Sequence, residues 1–459
     1  MDDWVSAEMR TCDLGDARLN RRLGQLLQQT SDPVGESLPT ACGGLSETIA
    51  AYRFFDHRRA TAAAVLAPHA AATTERLGRE PVGLLVQDTT ELDFTGKDAI
   101  TGLGPLNWPA RRGLLCHLTL AVTPERRCLG VAAALMWARA DGTGRVHRPR
   151  KQRTLSDKES QRWVAGYEQA CELAAAAPST RVISVADREG DIYEWYTTWA
   201  AAASPRADRV LRSCQDRALV GETARLRARL AQAPLLGRVR WTLPPRPGRR
   251  GRQVEQELRA ATVTLRPPYR RGARLAPVTV NAVLAREVGV SAETTPVAWV
   301  LLTSLPVDRL AAAEQVVEYY RCRWQIEVFV RVWKSGCRVE ALQLRDLARL
   351  EAALALYLIV AWRVLTVSST ARAHPEAPCT TLFSAAEWRA LYTLKRRQAP
   401  KAPPPLGEFV RLLASLGGHL GRKSDGPPGP KSIWIGLQQL HCYCLAFAAF
   451  TALSAPKCV

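Results

Sequence analysis

The sequence has no pair of cysteines at CxxC spacing. Its 12 cysteines are scattered, from Cys12 and Cys42 through Cys116 and Cys128 onward, so neither a zinc ribbon nor a disulfide framework is written into the chain. The nearest thing to a ligand cluster is His441, Cys442 and Cys444. It lacks a second pair at zinc spacing, and packing of small side chains accounts for it better. Long apolar runs are also missing. The longest, Ala352 to Trp362, has eleven residues and is followed by Arg363, whereas a bilayer-spanning helix needs ~20. The start, MDDWVSAEMR, is acidic with no apolar core, unlike a secretory signal. A cytoplasmic protein with reduced thiols and no membrane partner is expected. There is no internal repeat. Acidic residues are outnumbered, 43 against 63 Lys and Arg, which leaves a net charge of +20. Such an excess is more than solubility requires and favours a polyanionic partner, nucleic acid first.

Between Ala311 and Ser335 there is neither proline nor glycine, and the stretch AAAEQVVEYYRCRWQIEVFVRVWKSG predicts one long helix. At 100° per residue Tyr320, Arg323, Glu327, Arg331 and Lys334 share a narrow stripe. The remainder (Val316, Val317, Trp324, Ile326, Phe329, Val330, Val332, Trp333) is too apolar for a single amphipathic face, so most of the helix should be buried. A buried Glu327 needs a cation or a metal beside it. A solvated Arg/Lys/Glu ladder is the alternative from spacing alone.

Residues 1 to 77 read as a basic helical module, with Arg18, Arg21 and Arg22 on one helix and Arg53 on another. These arginines either meet water or contact phosphates. From Pro81 the period changes. VGLLVQDTTELDF is a buried strand running out at Asp88, and GLLCHLTLAV and RCLGVAAALMWAR complete an antiparallel meander. RVHRPRKQR (145 to 153) reads as a loop and KESQRWVAGYEQACELAAAA as a helix. A second apolar run, Arg181 to Ala186, closes on Asp187, with Glu189 and Asp191 just beyond. DRVLRSC is a further strand carrying Arg212. A β insertion at about 215 to 295 has two basic turns, PPRPGRRG and RPPYRRG. VAWVLLTSLPV, with Trp299, returns to a buried strand and feeds the long helix. LEAALALYLIVAWRVLTV is a second buried helix, and a helical C-terminal region follows. The fold class is α/β.

Asp88, Asp187 and Glu327 thus come from segments that one sheet could gather. Three carboxylates at close range repel one another unless divalent cations lie between them, and Mg²⁺ suits such a set. Pairing of each aspartate with a local arginine, such as Arg188 beside Asp187, is the structural alternative.

QDTTELDF, VADREGDIY and Y-x2-R-x3-E-x6-K at Tyr320, Arg323, Glu327 and Lys334 resemble the DDE transposases of the bacterial insertion-sequence-4 type. LGDARLNRRL, AYRFF, KESQRW, AWVLLTSLPV and LGGHLGRKSDGPPGPKSIWIGL extend the likeness over nearly the whole chain. The resemblance implies a DNA-end-binding module at 1–77, a ribonuclease H-like catalytic core at 78–371 with its β-strand insertion, and a helical dimerisation region at 372–459. It implies that Asp88, Asp187 and Glu327 hold two Mg²⁺ (or Mn²⁺), and that Tyr320, Arg323 and Lys334 grip phosphates, with Arg331 on the same stripe. Arg212 would contact DNA, Trp299 would receive a flipped-out base unless it is simply a core tryptophan, and Arg18, Arg21, Arg22 and Arg53 would bind the terminal repeats. The implied partners are double-stranded DNA and a second copy of the chain, and the implied activity is metal-dependent end cleavage and strand transfer. Leu19 stands where relatives can carry arginine, so end specificity stays open. A catalytically silent DNA-binding descendant is the rival reading.

Overall fold

The computed structural model describes residues 3–454 apart from 109, 142–158, 203, 245–250, 270–273, 292 and 423–424. The basic stretch 145–153, and most of the first and part of the second arginine-rich turn, therefore lie outside the described residues. The N-terminal region is helical as expected: α1 (Asp3–Glu8), α2 (Ala17–Ser31), α3 (Leu38–Cys42), α4 (Leu45–Phe55) and α5 (Ala62–Leu77). Asp16, Ser37 and Thr61 begin α2, α3 and α5 by accepting bonds from backbone N–H groups, which satisfies donors the first turn leaves orphaned.

The sheet follows the sequence alternation. It comprises β1 (Val82–Asp93), β2 (Gly104–Pro105), β3 (Arg112–Val122), β4 (Cys128–Trp137), then α6 (Gln161–Ala176), β5 (Arg181–Ala186), α7 (Tyr193–Ala201) and β6 (Asp208–Arg212). β4, β3 and β1 form the antiparallel meander, and β5 and β6 add to β1 in parallel. A meander followed by two parallel strands, each reached through a helix, is the ribonuclease H-like arrangement.

The segment expected as a β insertion is one, and it continues the core sheet. After α8 (Leu226–Gln232), a helix the sequence reading missed, β7 (Leu235–Leu243), β8 (Arg252–Leu265) and β9 (Val278–Glu287) form a meander that joins β10 (Ala298–Thr303). β10 pairs with β6, so the ten strands make one sheet. The unpaired edge of β6 would otherwise stand open, and continuing the ladder satisfies its backbone groups.

The long helix is interrupted. α9 (Leu310–Cys322) and α10 (Trp324–Arg331) meet at Arg323, and the last turn, Val332–Gly336, is a π turn in which Cys337 N–H donates to Val332 O. Arg323 keeps helical backbone angles, so the predicted stripe survives the break. α11 (Leu347–Ala373) packs behind this turn, where the buried Trp333 Nε1 donates to Leu354 O at 3.3 Å. α12 (Ala385–Leu394), α13 (Leu406–Leu416) and α14 (Pro430–Ser454) complete the chain. α11 and α14 are both long and apolar enough to cross a membrane, which the count of uninterrupted apolar residues missed. α11 is buried as a core helix, whereas little of α14 is fully buried.

Two contacts fasten the N-terminal helices to the core. Gly35, at φ +86°, lies so near the π turn that a Cβ there would meet Gly336 O at 2.5 Å, so only glycine fits. Glu8 and His69 are buried, and His69 Nδ1 lies 2.6 Å from Glu8. His69 Nε2 accepts the Val131 N–H on β4 at 3.0 Å, which places the ring proton on Nδ1, donating to Glu8. Arg76 pairs with the same carboxylate. Removing Glu8 leaves a buried donor and a cation without their partner. Glu8→Ala is therefore expected to lose about 2 to 4 kcal/mol of stability in chemical denaturation, and an unchanged midpoint would show that the cluster does not fasten the module.

Candidate active site

Strand parity places the site. Along β1, Leu84 and Val86 face the layer of α9, α10 and α11, while Leu85 faces α6 and α7. Side chains two apart share a face, so Asp88 points toward α10. On β5, Ile183 and Val185 share that layer, and Asp187 continues the series. On β6 Val210 does so, bringing Arg212 along, and on β10 Leu301 does so, bringing Trp299. Parallel pairing of β1 with β5 ends at Val86 and Val185, so Asp88 and Asp187 stand where the ladder has just opened.

Glu327, one turn into α10, faces this opening. Arg323 Nη1 donates to Asp88 Oδ2 at 3.0 Å and Nη2 to Glu327 Oε1 at 2.6 Å. Tyr320 OH donates to Asp187 Oδ1 at 3.2 Å, and Arg212 Nη1 lies 3.9 Å from the same oxygen. The Arg/Glu stripe is thus half-buried and turned inward, not a solvated ladder. Burial pushes the Asp88 pKa up, Arg323 and the Thr89 N–H pull it down, and the neighbouring Asp187 and Glu327 charges push it up again, to about 6. Burial also holds the Tyr320 phenol up at about 12, so it stays a neutral donor. Arg323 keeps its charge: burial opposes it, but Tyr320 and the three carboxylates outweigh that and raise its pKa.

Other predicted residues are placed differently. Lys334 Nζ donates to Glu91 O at 2.8 Å and pairs with Glu340 at 2.9 Å, so it borders the cleft while already engaged. Arg331 is exposed and lines that cleft, a hollow of about 510 Å³ shared with Asp88, Glu327 and Glu340. Trp299 is half-buried. Its ring stacks on Trp241 at 5.6 Å and 18°, and meets Tyr320 edge-on at 5.4 Å. Sequence reading missed Trp241, although it shares the inward parity of Val239 and Leu243 on β7. Arg321 lies 4.4 Å over the Trp241 ring. These groups, with Arg212, Arg126 and Trp324, line a second hollow of about 400 Å³ beside the carboxylates. Lining neither hollow, Arg18, Arg21 and Arg53 are exposed on the N-terminal helices, while Arg22 pairs with Glu47 at 2.5 Å. Asp191 belongs to the scaffold: Tyr196, Ser213 and the Cys214 and Gln215 N–H groups donate to it, and Arg217 pairs with it.

Three family models match the chain, "Transposase DNA-binding" over residues 1–60, "Transposase DDE domain" over 134–363 and "Transposase Tn5 dimerisation domain" over 359–453. The chain belongs to the insertion-sequence-4-like DDE transposases. The central match holds Asp187 and Glu327 and begins beyond Asp88, which strand parity alone brings into the site. The first match contains Arg18, Arg21, Arg22 and Arg53, and DNA is a partner of the transposase. The last spans most of α14, where Tyr443, Leu445, Phe447 and Phe450 are exposed, and supports dimer formation.

DDE transposases use divalent metal ions, and the donor set suits them: Asp88, Asp187 and Glu327 offer only hard carboxylate oxygens. Among the described residues, however, no three such side chains close tightly enough to enclose an ion, because the Arg323 guanidinium bridges Asp88 and Glu327. The raised Asp88 pKa fixes a sign. The folded state holds this proton more tightly than the unfolded chain, so the contribution to stability is present below the unfolded value of 3.8 and lost as pH rises through about 6. In EDTA at pH 8, Asp88→Asn should therefore stabilise the transposase, by on the order of 2 kcal/mol, and the gain should vanish near pH 4. A loss of stability at pH 8 would mean that the ion pair with Arg323 outweighs burial.

Proposed function

We propose that this transposase binds the inverted terminal repeats of its element, frees a 3′-hydroxyl at each end, passes through a hairpin and joins the ends to target DNA. The observation that carries this reading is the convergence of Asp88, Asp187 and Glu327 on the Tyr320–Arg323 turn, from three distant segments, at the opened end of a parallel strand pair. Two Mg²⁺ (or Mn²⁺) held by these carboxylates would supply an activated water and neutralise charge developing at phosphorus. Arg323 then turns from the carboxylates to a phosphate oxygen, a bidentate acceptor its fork fits. Tyr320 donates from a hydroxyl that does not ionise. Arg331 and Lys334 grip the backbone along the cleft, and Arg212 does so beside Asp187.

The second hollow takes the base displaced at the end of the element. Trp299 offers an aromatic face there, and the surrounding arginines meet the phosphates. Residues 1–77 carry end recognition through Arg18, Arg21 and Arg53, with Arg22 joining if it leaves Glu47. Residues 78–371 perform the chemistry, and residues 372–459 pair two protomers across two ends. The protein works in the cytoplasm, associated with the nucleoid when bound to DNA.

Purified protein with its own element's ends and Mg²⁺ is expected to nick and release them, and Glu327→Ala to bind the ends normally while cleavage falls below detection. Wild-type binding without cleavage under any divalent metal would instead support a silent DNA-binding descendant. Trp299→Ala is expected to reduce hairpin yield roughly 5- to 100-fold, the range for losing one base stack. Normal yield would make Trp299 a core residue only.

A further inference from the structure

The face of the sheet opposite the cleft carries a polar network that none of the proposed chemistry uses. Gln87 and Thr89 flank Asp88 in sequence, and strand alternation turns both toward α6. Thr89 Oγ1 lies 2.9 Å from His117 Nδ1, and Gln87 Nε2 donates to the buried Ser184 at 2.9 Å on β5. His117 Nε2 is 3.3 Å from Gln87 Oε1, and burial pushes the ring's pKa down to about 3, so it is neutral. Into this layer α6 sends Arg162, mostly buried, its guanidinium beside the Trp137 and Trp163 rings.

Arg162 contacts both segments just past the end of the β1–β5 pairing. Its Nε donates to Thr89 Oγ1 at 2.7 Å, and its Nη2 donates to Glu189 Oε2 at 3.1 Å. Its remaining Nη1 donates to Glu159 O at 2.7 Å, anchoring the fork to the start of its own helix. Thr89 N–H in turn donates to Asp88 Oδ1 at 2.8 Å. Glu189 sits in the single turn that Asp187 caps, through the Arg188 N–H at 2.6 Å. One planar group therefore ties the residue after Asp88 to the turn opened by Asp187. It does so just past Val86 and Val185, where backbone pairing of the two strands has ended. Beyond that point the ladder no longer fixes their separation.

We propose that Arg162 is a positioning residue that sets the gap between Asp88 and Asp187 from behind the sheet, so that the two carboxylates can share divalent cations. This rests on the reading of Asp88 and Asp187 as metal ligands. The two strand ends are mutually repelling when both carboxylates are ionised, and a rigid fork spanning them resists that spreading. Arg162 is held by three acceptors, two of them on the segments it bridges, a geometry that a lysine's single ammonium on a flexible stem cannot replace. Groups that orient metal ligands typically matter 10- to 100-fold in metal affinity.

The test is Mn²⁺ binding, read from the electron paramagnetic resonance of unbound aqueous Mn²⁺. It uses the full chain alone and bound to a duplex of its element's end, with the duplex as blank and thermal unfolding measured in parallel. Arg162→Met is expected to weaken Mn²⁺ binding roughly 10-fold or more, with Arg162→Lys intermediate and end-duplex affinity unchanged. The exposed Glu189→Gln cuts the same bridge at one end with little threat to folding and Thr89→Val cuts it at the other, where it also takes a partner from His117, and each should weaken binding severalfold. Combining either with Arg162→Met should add nothing further. Equal Mn²⁺ affinity in wild type and all folded variants overturns the proposal and leaves the catalytic reading intact, even if the melting temperature drops. Wild type that binds no more Mn²⁺ than Glu327→Gln, with or without duplex, overturns the metal-site reading and this inference with it.

Discussion

Three carboxylates on one face of a sheet end, partly removed from water, repel one another, and the site must offset that repulsion to exist. Arg323 does so for Asp88 and Glu327, and Tyr320 with Arg212 does so for Asp187. Inside a partly desolvated cleft such contacts are worth several times their value in water. Even so, Asp88 remains raised to about 6. The site is therefore loaded: burial and like charge favour protonation, and any group that brings positive charge to the carboxylates relaxes it.

That loading explains the helix that crosses the sheet end. A straight, regular helix would carry Tyr320, Arg323, Glu327 and Lys334 on one stripe, but they serve two strands, Tyr320 the end of β5 and Arg323 and Lys334 β1. The break at Arg323 and the π turn at Val332–Gly336 let the stripe bend over the sheet while Trp333 stays locked to α11. Extra residues of this kind inside a helix commonly mark functional positions. The N-terminal helices press on the same turn through Gly35 and Gly336 O, so the end-binding region and the catalytic helix share a packing contact. The β7–β10 extension matters for a related reason: by continuing the sheet past β6 it brings Trp241 onto Trp299 and Arg321, building the aromatic and cationic wall beside the carboxylates.

Much of this was legible along the chain. Apolar runs ending on Asp88 and Asp187 announced two strands carrying a carboxylate, and the i, i+3, i+7 series announced a helix face. β5 does end before Asp187, but β1 runs on to Asp93, and what ends before Asp88 is only its pairing with β5. What misled was continuity. An unbroken run without glycine or proline reads as one helix, yet the helix is interrupted at Arg323. The proline- and arginine-rich stretch reads as a β insertion of antiparallel strands, and it is one; that it continues the core sheet through β10 could not be read from it. Nor does the sequence show the present partners of Lys334, Glu91 O and Glu340, which the β1 end and the loop before α11 bring alongside it.

The sequence by itself determined the alternation of β1, β5, β6 and β10, the stripe on α9 and α10, the excess positive charge and the family. Each depends on a local period or on composition, and a period of two or 3.6 residues is set by backbone sterics wherever the segment lies. Only the tertiary structure decided which cation faces which carboxylate, that Trp241 backs Trp299, and that Arg162 spans the Thr89 and Glu189 ends from behind. Those pairings depend on distances between segments far apart in the chain, which strand order and the opening of the β1–β5 ladder fix and no local pattern encodes.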